Sequence, residues 1–280
     1  MASLKTFIHK KTWIFSFLAF VFSLNAFAQQ VPKTYYATLS EGVKLYESPS
    51  EQANVLTIVT YGSKVTFNNS DVDKLTMLDN SVVVNGARTY WMKVTHNNVK
   101  GYVIKDNLAT IQPPKENTDK LSDWLKQFAQ PFGNKWESGK IAESLSESEH
   151  DNYISRQIFQ NGILLTVTSG YDVNSSETVQ IPNTNIFAVY NLIQHIGSFK
   201  SVFKLNTVLR EGTSSFKDSE GNEYKWEVFY QKGEEIEDKI LQSVVITWNN
   251  GNNNTLKIST LGNDIVVFMK PHCKFCYDPV

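Results

Sequence analysis

The sharpest chemistry in this 280-residue chain lies near its carboxyl end, in His272-Cys273-Lys274-Phe275-Cys276. Two intervening residues let both sulfurs of a C-x-x-C converge, so the pair can close a disulfide, exchange thiols or ligate a metal. A disulfide between Cys273 and Cys276 is the favoured reading, because the amino-terminal leader described below sends the chain to an oxidising compartment. So short a loop constrains the unfolded chain only modestly, by about 2 kcal/mol. Position argues against a redox role: thioredoxin-like motifs open a helix after a strand, and only four residues follow Cys276. Structural zinc would need a fourth ligand besides His272, Cys273 and Cys276, and the chain has no second cysteine pair. Attached haem requires histidine where Tyr277 stands. Neither a metal nor a cofactor is expected.

Nothing else in the sequence organises catalysis. Enzymes built like papain place the nucleophile early and the histidine downstream, whereas both cysteines here follow His96, His150 and His195. Zinc-protease, nucleophile-elbow and phosphate-loop motifs are absent. His195, between Gln194 and Ile196 in a helical pattern, reads as a structural residue, and His96 and His150 sit in turn-like sequence. The acidic run Glu234-Glu235-Ile236-Glu237-Asp238 lacks the interleaved oxygens and fixed glycine of a calcium loop and reads as a solvated face. Asn249–Asn254 around Gly251 reads as a turn. A binding protein without catalytic residues is therefore expected; the alternatives are an enzyme with catalytic residues dispersed in the carboxyl-terminal half, or a thiol-redox protein using the terminal C-x-x-C.

Tyr46, Trp91 and Tyr102 are the remaining candidates, expected to form a ligand-binding aromatic shelf, since such rings give large rigid contact area with polar tips. The stretch Thr89–Val103, T-Y-W-M-K-V-T-H-N-N-V-K-G-Y-V, predicts the β-hairpin that positions two of them. Alternation puts Tyr90, Met92 and Val94 on the core face, with Val99 and Val103 likewise together, and leaves Trp91 and Tyr102 opposite. Asn97-Asn98 supplies a turn that tolerates left-handed backbone. Gly101 inside the second strand marks a bulge or a close backbone approach. The competing reading is that the rings cover the barrel core or pack against a second domain.

Further strands are expected around Tyr35-Tyr36 and Val43–Tyr46, then at Val55–Val59, Lys64–Phe67, Leu75–Leu78, Val82–Val84 and Asn107–Ile111, separated by turn residues. V-K-L-Y-E-S-P-S, then V-L-T-I-V-T-Y-G-S-K-V, then W-M-K-V followed by G-Y-V-I resembles bacterial SH3-like (SH3b) domains over residues 34–111. The resemblance implies a small antiparallel barrel that binds cell-wall peptides or proteins and targets rather than catalyses. Asn68–Arg88 is longer than the family's usual connection, which puts the rim of any groove in doubt.

Residues 112–120, polar and containing Pro113-Pro114, predict a linker to a second domain over 121–280. Thr118 or Asp119 is expected to cap a helix with Leu121, Trp124, Leu125 and Phe128 on one face, stopped by Pro131. Residues 134–151 read as a surface loop or a solvated helix. Asn161-Gly162 between Tyr153–Gln160 and Ile163–Ser169 predicts a hairpin with a type I′ turn. A strand at Thr178–Ile181, a helix carrying Ile186, Val189, Tyr190, Ile193 and Ile196 on one face with Asn185 as its cap and Gly197 as its stop, and strands at Asn206–Arg210, Ser214–Lys217, Tyr224–Gln231, Ile240–Trp248, Thr255–Leu261 and Ile265–Met269 follow. The expected fold is mainly β: a small SH3-like barrel followed by an α+β domain with an antiparallel sheet and one or two helices.

Residues 1–28 carry the address. Lys5, Lys10 and Lys11 precede a 12-residue apolar run, Trp13–Leu24, and Ala26-Phe27-Ala28 offers a cleavage site, the pattern of a secretory signal peptide. The run is short of the ~20 residues a spanning helix needs, so no integral membrane segment is expected after cleavage, and the chain is expected in the periplasm or outside the cell. Loss of those three lysines takes 27 basic residues to 24 against 28 acidic ones, a net charge of −4. That balance argues against nucleic acid and leaves a cell-wall peptide or an envelope protein as the expected partner.

Overall fold

The computed structural model describes residues 33–67, 81–84, 87–138, 153–169, 175–203, 209–232, 239–249 and 253–270. Residues 1–28, expected as a signal peptide, residues 75–80, expected as a strand and turn, His150, residues 206–208, the Glu234–Asp238 run, Gly251 and the cysteine pair lie outside them. The chain is mainly β, as expected, and every described strand pairing is antiparallel.

The first sheet runs in the order β3 (Val55–Val59), β2 (Val43–Tyr46), β7 (Val99–Ile104), β6 (Ala87–His96), β4 (Lys64–Phe67), β1 (Lys33–Ala37), β8 (Leu108–Ala109), with β5 (Ser81–Val84) paired to β6 alone. Its strands send Tyr35, Val43, Leu45, Val59, Val65, Met92, Val94, Val103 and Leu108 into one shared core. The sheet curls for that to happen, and among the described residues its pairing path runs from β3 to β8 with no pairing between those two ends.

The β6–β7 hairpin turns on two residues, Asn97 and Asn98, both at positive φ (48° and 66°), directly after the His96 and Val99 pair. This is the type I′ geometry that matches strand twist, and asparagine is among the side chains that tolerate it. A Cβ at Gly101 would lie 2.6 Å from the Tyr46 carbonyl oxygen, so the glycine marks a close approach of β2 to β7. β5 and β6 pair on either side of Asn85-Gly86, a second hairpin signal that sequence reading passed over.

β6 is buried on different faces along its length. Met92 and Val94 face the first core, but Ala87 belongs to the second core, and Thr89 and Trp91 on its side of the strand are buried too. The strand thus leaves one core and enters the other.

Gln112–Lys120 connects the two sheets, but it is not a free tether. Pro113 and Pro114 are buried, the Trp124 Nε1–H donates to the Gln112 carbonyl at 2.8 Å, and the Gly197 N–H donates to the Thr118 carbonyl at 2.7 Å. Helix α1 is shorter than periodicity predicts, Leu121–Leu125, and begins at Lys120 without a side-chain cap. Thr118 is occupied elsewhere, donating to the Lys115 carbonyl and accepting from Gln127 Nε2. Leu121, Trp124 and Leu125 are buried as the pattern requires.

The second sheet has nine strands: β13 (Gly212–Lys217), β14 (Glu223–Lys232), β15 (Lys239–Asn249), β16 (Asn253–Leu261), β17 (Asp264–Lys270), β12 (Ser176–Pro182), β11 (Leu164–Ser169), β10 (Tyr153–Ile158) and β9 (Trp136–Ser138). β14 alternates cleanly, burying Tyr224, Trp226, Val228 and Tyr230. The β10–β11 hairpin forms as expected with a different turn: strand pairing stops at Ile158 and Leu164, and only Gly162 takes positive φ. Helix α2 (Ile186–Ile193) packs on the sheet through Ile186, Val189, Tyr190, Leu192 and Ile193, and its Asn185 cap accepts the Ala188 N–H at 2.7 Å. A short helix α3 (Lys200–Phe203) adds Val202 and Phe203 to the same core. Among the described residues no helix is long and apolar enough to cross a membrane.

Candidate functional site

The three aromatic candidates do converge. Tyr46 and Tyr102 are directly paired across β2 and β7, and the Tyr46 ring meets Trp91 edge-on with centroids 5.3 Å apart. Lys93 stands opposite Tyr102 on β6, its ammonium 5.7 Å from that ring. Trp91 is nevertheless only 6% exposed, not the outward-facing ring that alternation predicts. The alternation of the hairpin holds; the difference is that the outer face of β6 is not solvent, since Ala87 on the same face belongs to the core of the second sheet. Tyr46 and Tyr102 remain half-buried, and Trp91 lies buried against the Tyr46 ring. Tyr90 differs from expectation as well. It is only half-buried, lies outside both cores and carries the Lys105 ammonium 4.6 Å above its ring.

Tyr90 and Lys105 belong to a cleft of about 530 Å³ between the two sheets. One wall is the end of the first sheet: Lys33 and Tyr35 of β1, Arg88 and Tyr90 of β6, and Lys105 and Asp106 of the single 3-10 turn after β7. The other wall is Asn183-Thr184-Asn185 leading into α2, with Phe187, Ile240 of β15 and the β16–β17 turn at Gly262-Asn263. The walls are tied together by hydrogen bonds from Thr110 Oγ1 to the Asn183 carbonyl (3.1 Å), Asn185 Nδ2 to the Leu108 carbonyl (3.3 Å) and Asn191 Nδ2 to Thr38 Oγ1 (3.3 Å). Tyr61 stacks on His195 at 4.1 Å on a neighbouring part of the junction.

Asp106 is the acid of this cleft. Burial pushes its carboxyl up to about 6; the nearby Thr89 side chain and the Lys105 ammonium offset only part of that, and the Thr89 hydroxyl reaches no partner at good hydrogen-bond geometry. The folded chain then keeps a proton that the unfolded chain releases, so stability falls as pH rises from roughly 4 to about 6. Asp106→Asn removes that fall. At pH 8 the variant is expected to gain up to about 3 kcal/mol, since each tenfold change in proton affinity is worth about 1.4 kcal/mol, while near pH 3.5 the two proteins melt together. Thermal melts at both pH values check this, and a variant less stable than the parent at pH 8 would show that the carboxylate is needed ionised.

Among the described residues no histidine joins the cleft. His96 holds the hairpin turn, its Nδ1–H donating to the Lys64 carbonyl at 2.9 Å while Nε2 accepts from Asn97 Nδ2. Burial, then the Lys200 charge, lower the pKa of His195, whose ring lies against Tyr61. Among the described residues no three of His, Cys, Asp and Glu gather as metal ligands would. A second concavity, about 630 Å³, lies at the far end of the second sheet against Phe216, Tyr224 and Trp248. Its Lys217 is spoken for by Glu223 at 2.8 Å, which leaves the interface cleft as the more strongly charged of the two.

Sequence reading missed the cleft. The register of β6 and β7, which pairs Trp91 with Ile104, could have set Tyr90 beside Lys105. Nothing local could have brought residues 183–187 or 240 to face them. No protein-family model matches the chain, and no curated protein and no solved structure matches it either.

Proposed function

We propose that this chain is a non-catalytic binding protein of the bacterial envelope, exported by its leader, that holds a cell-wall peptide in the cleft between its two sheets. The observation that carries the reading is the cleft itself, about 530 Å³ and walled by both sheets, a volume typical of sites for small ligands. Its polar groups are cations, amides and hydroxyls with one carboxyl, a set suited to recognition; among the described residues no base, nucleophile and orienting group come together there as acyl or peptide chemistry requires. The likeness of residues 34–111 to SH3b domains supports the cell wall as the source of the ligand.

Co-sedimentation of the mature protein with purified peptidoglycan tests this. Ile240 is about half exposed on the cleft rim, so Ile240→Trp fills the opening without disturbing a core. The expected result is loss of at least nine-tenths of the bound fraction with an unchanged melting temperature, and no release of soluble fragments by either protein. Equal sedimentation of the two would move the ligand elsewhere, and released fragments would make the protein an enzyme.

A further inference from the structure

The cleft is electrostatically unlike the rest of the molecule. Among the described lining residues Lys33, Arg88 and Lys105 are the cations and Asp106 is the carboxylate, on a chain that carries a net charge of −4 once its leader is removed. Among the described residues neither Lys33 nor Lys105 has a salt-bridge partner; each ammonium instead lies over a tyrosine ring, at 5.4 Å from Tyr35 and 4.6 Å from Tyr90. A ring face holds a cation in place while leaving most of its hydrogen-bonding capacity for another group. Two such ammoniums at one cleft make a local positive potential that low-dielectric walls focus.

The opposite wall offers hydrogen bonds. Asn183 is exposed at φ 54°, and Thr184 beside it lines the cleft. Asn185 is already committed, its Oδ1 to the Ala188 N–H and its Nδ2 to the Leu108 carbonyl. Helix geometry leaves the earlier N–H groups of α2, those of Ile186 and Phe187, without partners inside the helix, and both residues line the cleft. Phe187 and Ile240 continue from them as an apolar strip.

Resting on the reading that the cleft is the ligand site, we propose that it recognises a carboxylate: the free carboxyl end of a short peptide seats between the Lys33 and Lys105 ammoniums and the amino-terminal end of α2, with the peptide's side chains along Phe187 and Ile240. Phosphate sites surround three oxygens with glycine-rich backbone, and Gly262 is the only glycine among the described lining residues. Separate lysine ammoniums, the free N–H groups at the start of α2 and an apolar strip fit a singly charged group at the end of a neutral chain.

Calorimetry on the full mature protein tests this with four probes: a peptidoglycan stem pentapeptide with its carboxyl end free, the same peptide amidated at that end, and an all-L pentapeptide in both forms. The expected result is at least tenfold tighter binding of a free acid than of its amide, with Lys105→Gln bringing the acid to the affinity of the amide and leaving the amide unchanged. Preference for the stem peptide over the all-L peptide assigns the carboxylate to the cell wall; the reverse assigns it to a protein terminus. Acid and amide binding alike, with both abolished by Ile240→Trp, overturns the carboxylate and keeps the cleft. Binding that Ile240→Trp leaves intact overturns the cleft as well, and no binding by any probe overturns the carboxylate. A melt of Lys105→Gln matching the parent excludes misfolding, and Lys33→Gln, which is expected to weaken the acid in the same direction, gives a second variant.

Discussion

Replacing Trp124 with alanine lowers stability by about 3–5 kcal/mol and opens the Gln112–Lys120 segment to proteases. Trp124 is completely buried, packs against Phe128 with centroids 5.8 Å apart, and belongs to the core of the second sheet. Its indole does a second thing, donating from Nε1 to the Gln112 carbonyl and so fixing the start of the segment that joins the sheets. Truncation leaves a cavity too enclosed to collapse fully and a carbonyl without its donor, two costs that add. Urea melts measure the first. Trypsin measures the second, since Lys115 and Lys120 are exposed on a backbone otherwise held in place. A variant that melts with the parent and resists trypsin would mean that the segment is held by its prolines and by Thr118 alone.

The second large effect belongs to Trp91. Read as an outward anchor, it would lose about 2 kcal/mol of binding on truncation to alanine and nothing in folding. At 6% exposure, with the Tyr46 ring edge-on against it, Trp91→Ala is instead expected to cost about 3–5 kcal/mol of stability. Trp91→Phe, which keeps an aromatic ring against Tyr46, recovers part of that loss. Thermal melts of the two variants decide it; an unchanged melt in Trp91→Ala would return the residue to the surface and restore the aromatic shelf as the ligand site.

Local chemistry in the sequence reached far into the fold. The strand at Tyr224–Gln231, the Asn97-Asn98 turn, the close approach at Gly101 and the Asn185 cap each follow from a residue type and its immediate neighbours, and each stands where the sequence puts it. The departures at Trp91, Tyr90, the connecting segment and the cleft share one cause, the distance along the chain between the parts involved, whereas the uncapped start of α1 and the turn at Asn161-Gly162 depart locally. Strand alternation cannot tell solvent from a second sheet, so residues far away decide the surroundings of Trp91 and Tyr90. Pro113-Pro114 reads as a linker from composition, yet Trp124 and Gly197 pin the segment from different elements. The cleft is the extreme case: Lys33, Lys105, Thr184 and Ile240 come from four separate parts of the chain, and none is unusual in its own neighbourhood.

The division of β6 between two cores bears on how fast a ligand can come and go. Ala87 is held in one core while Met92 and Val94, five and seven residues along the same strand, are held in the other, so the sheets cannot swing apart without bending β6 where its pairing passes from β5 to β7, or drawing Ala87 out of its core. The cleft is then a fixed slot rather than a jaw. Association should proceed in a single phase whose rate rises in proportion to ligand concentration without levelling off, because no closing step follows the encounter. Raising the ionic strength should slow arrival, as screening removes the pull of the lysines, while residence time changes little by comparison.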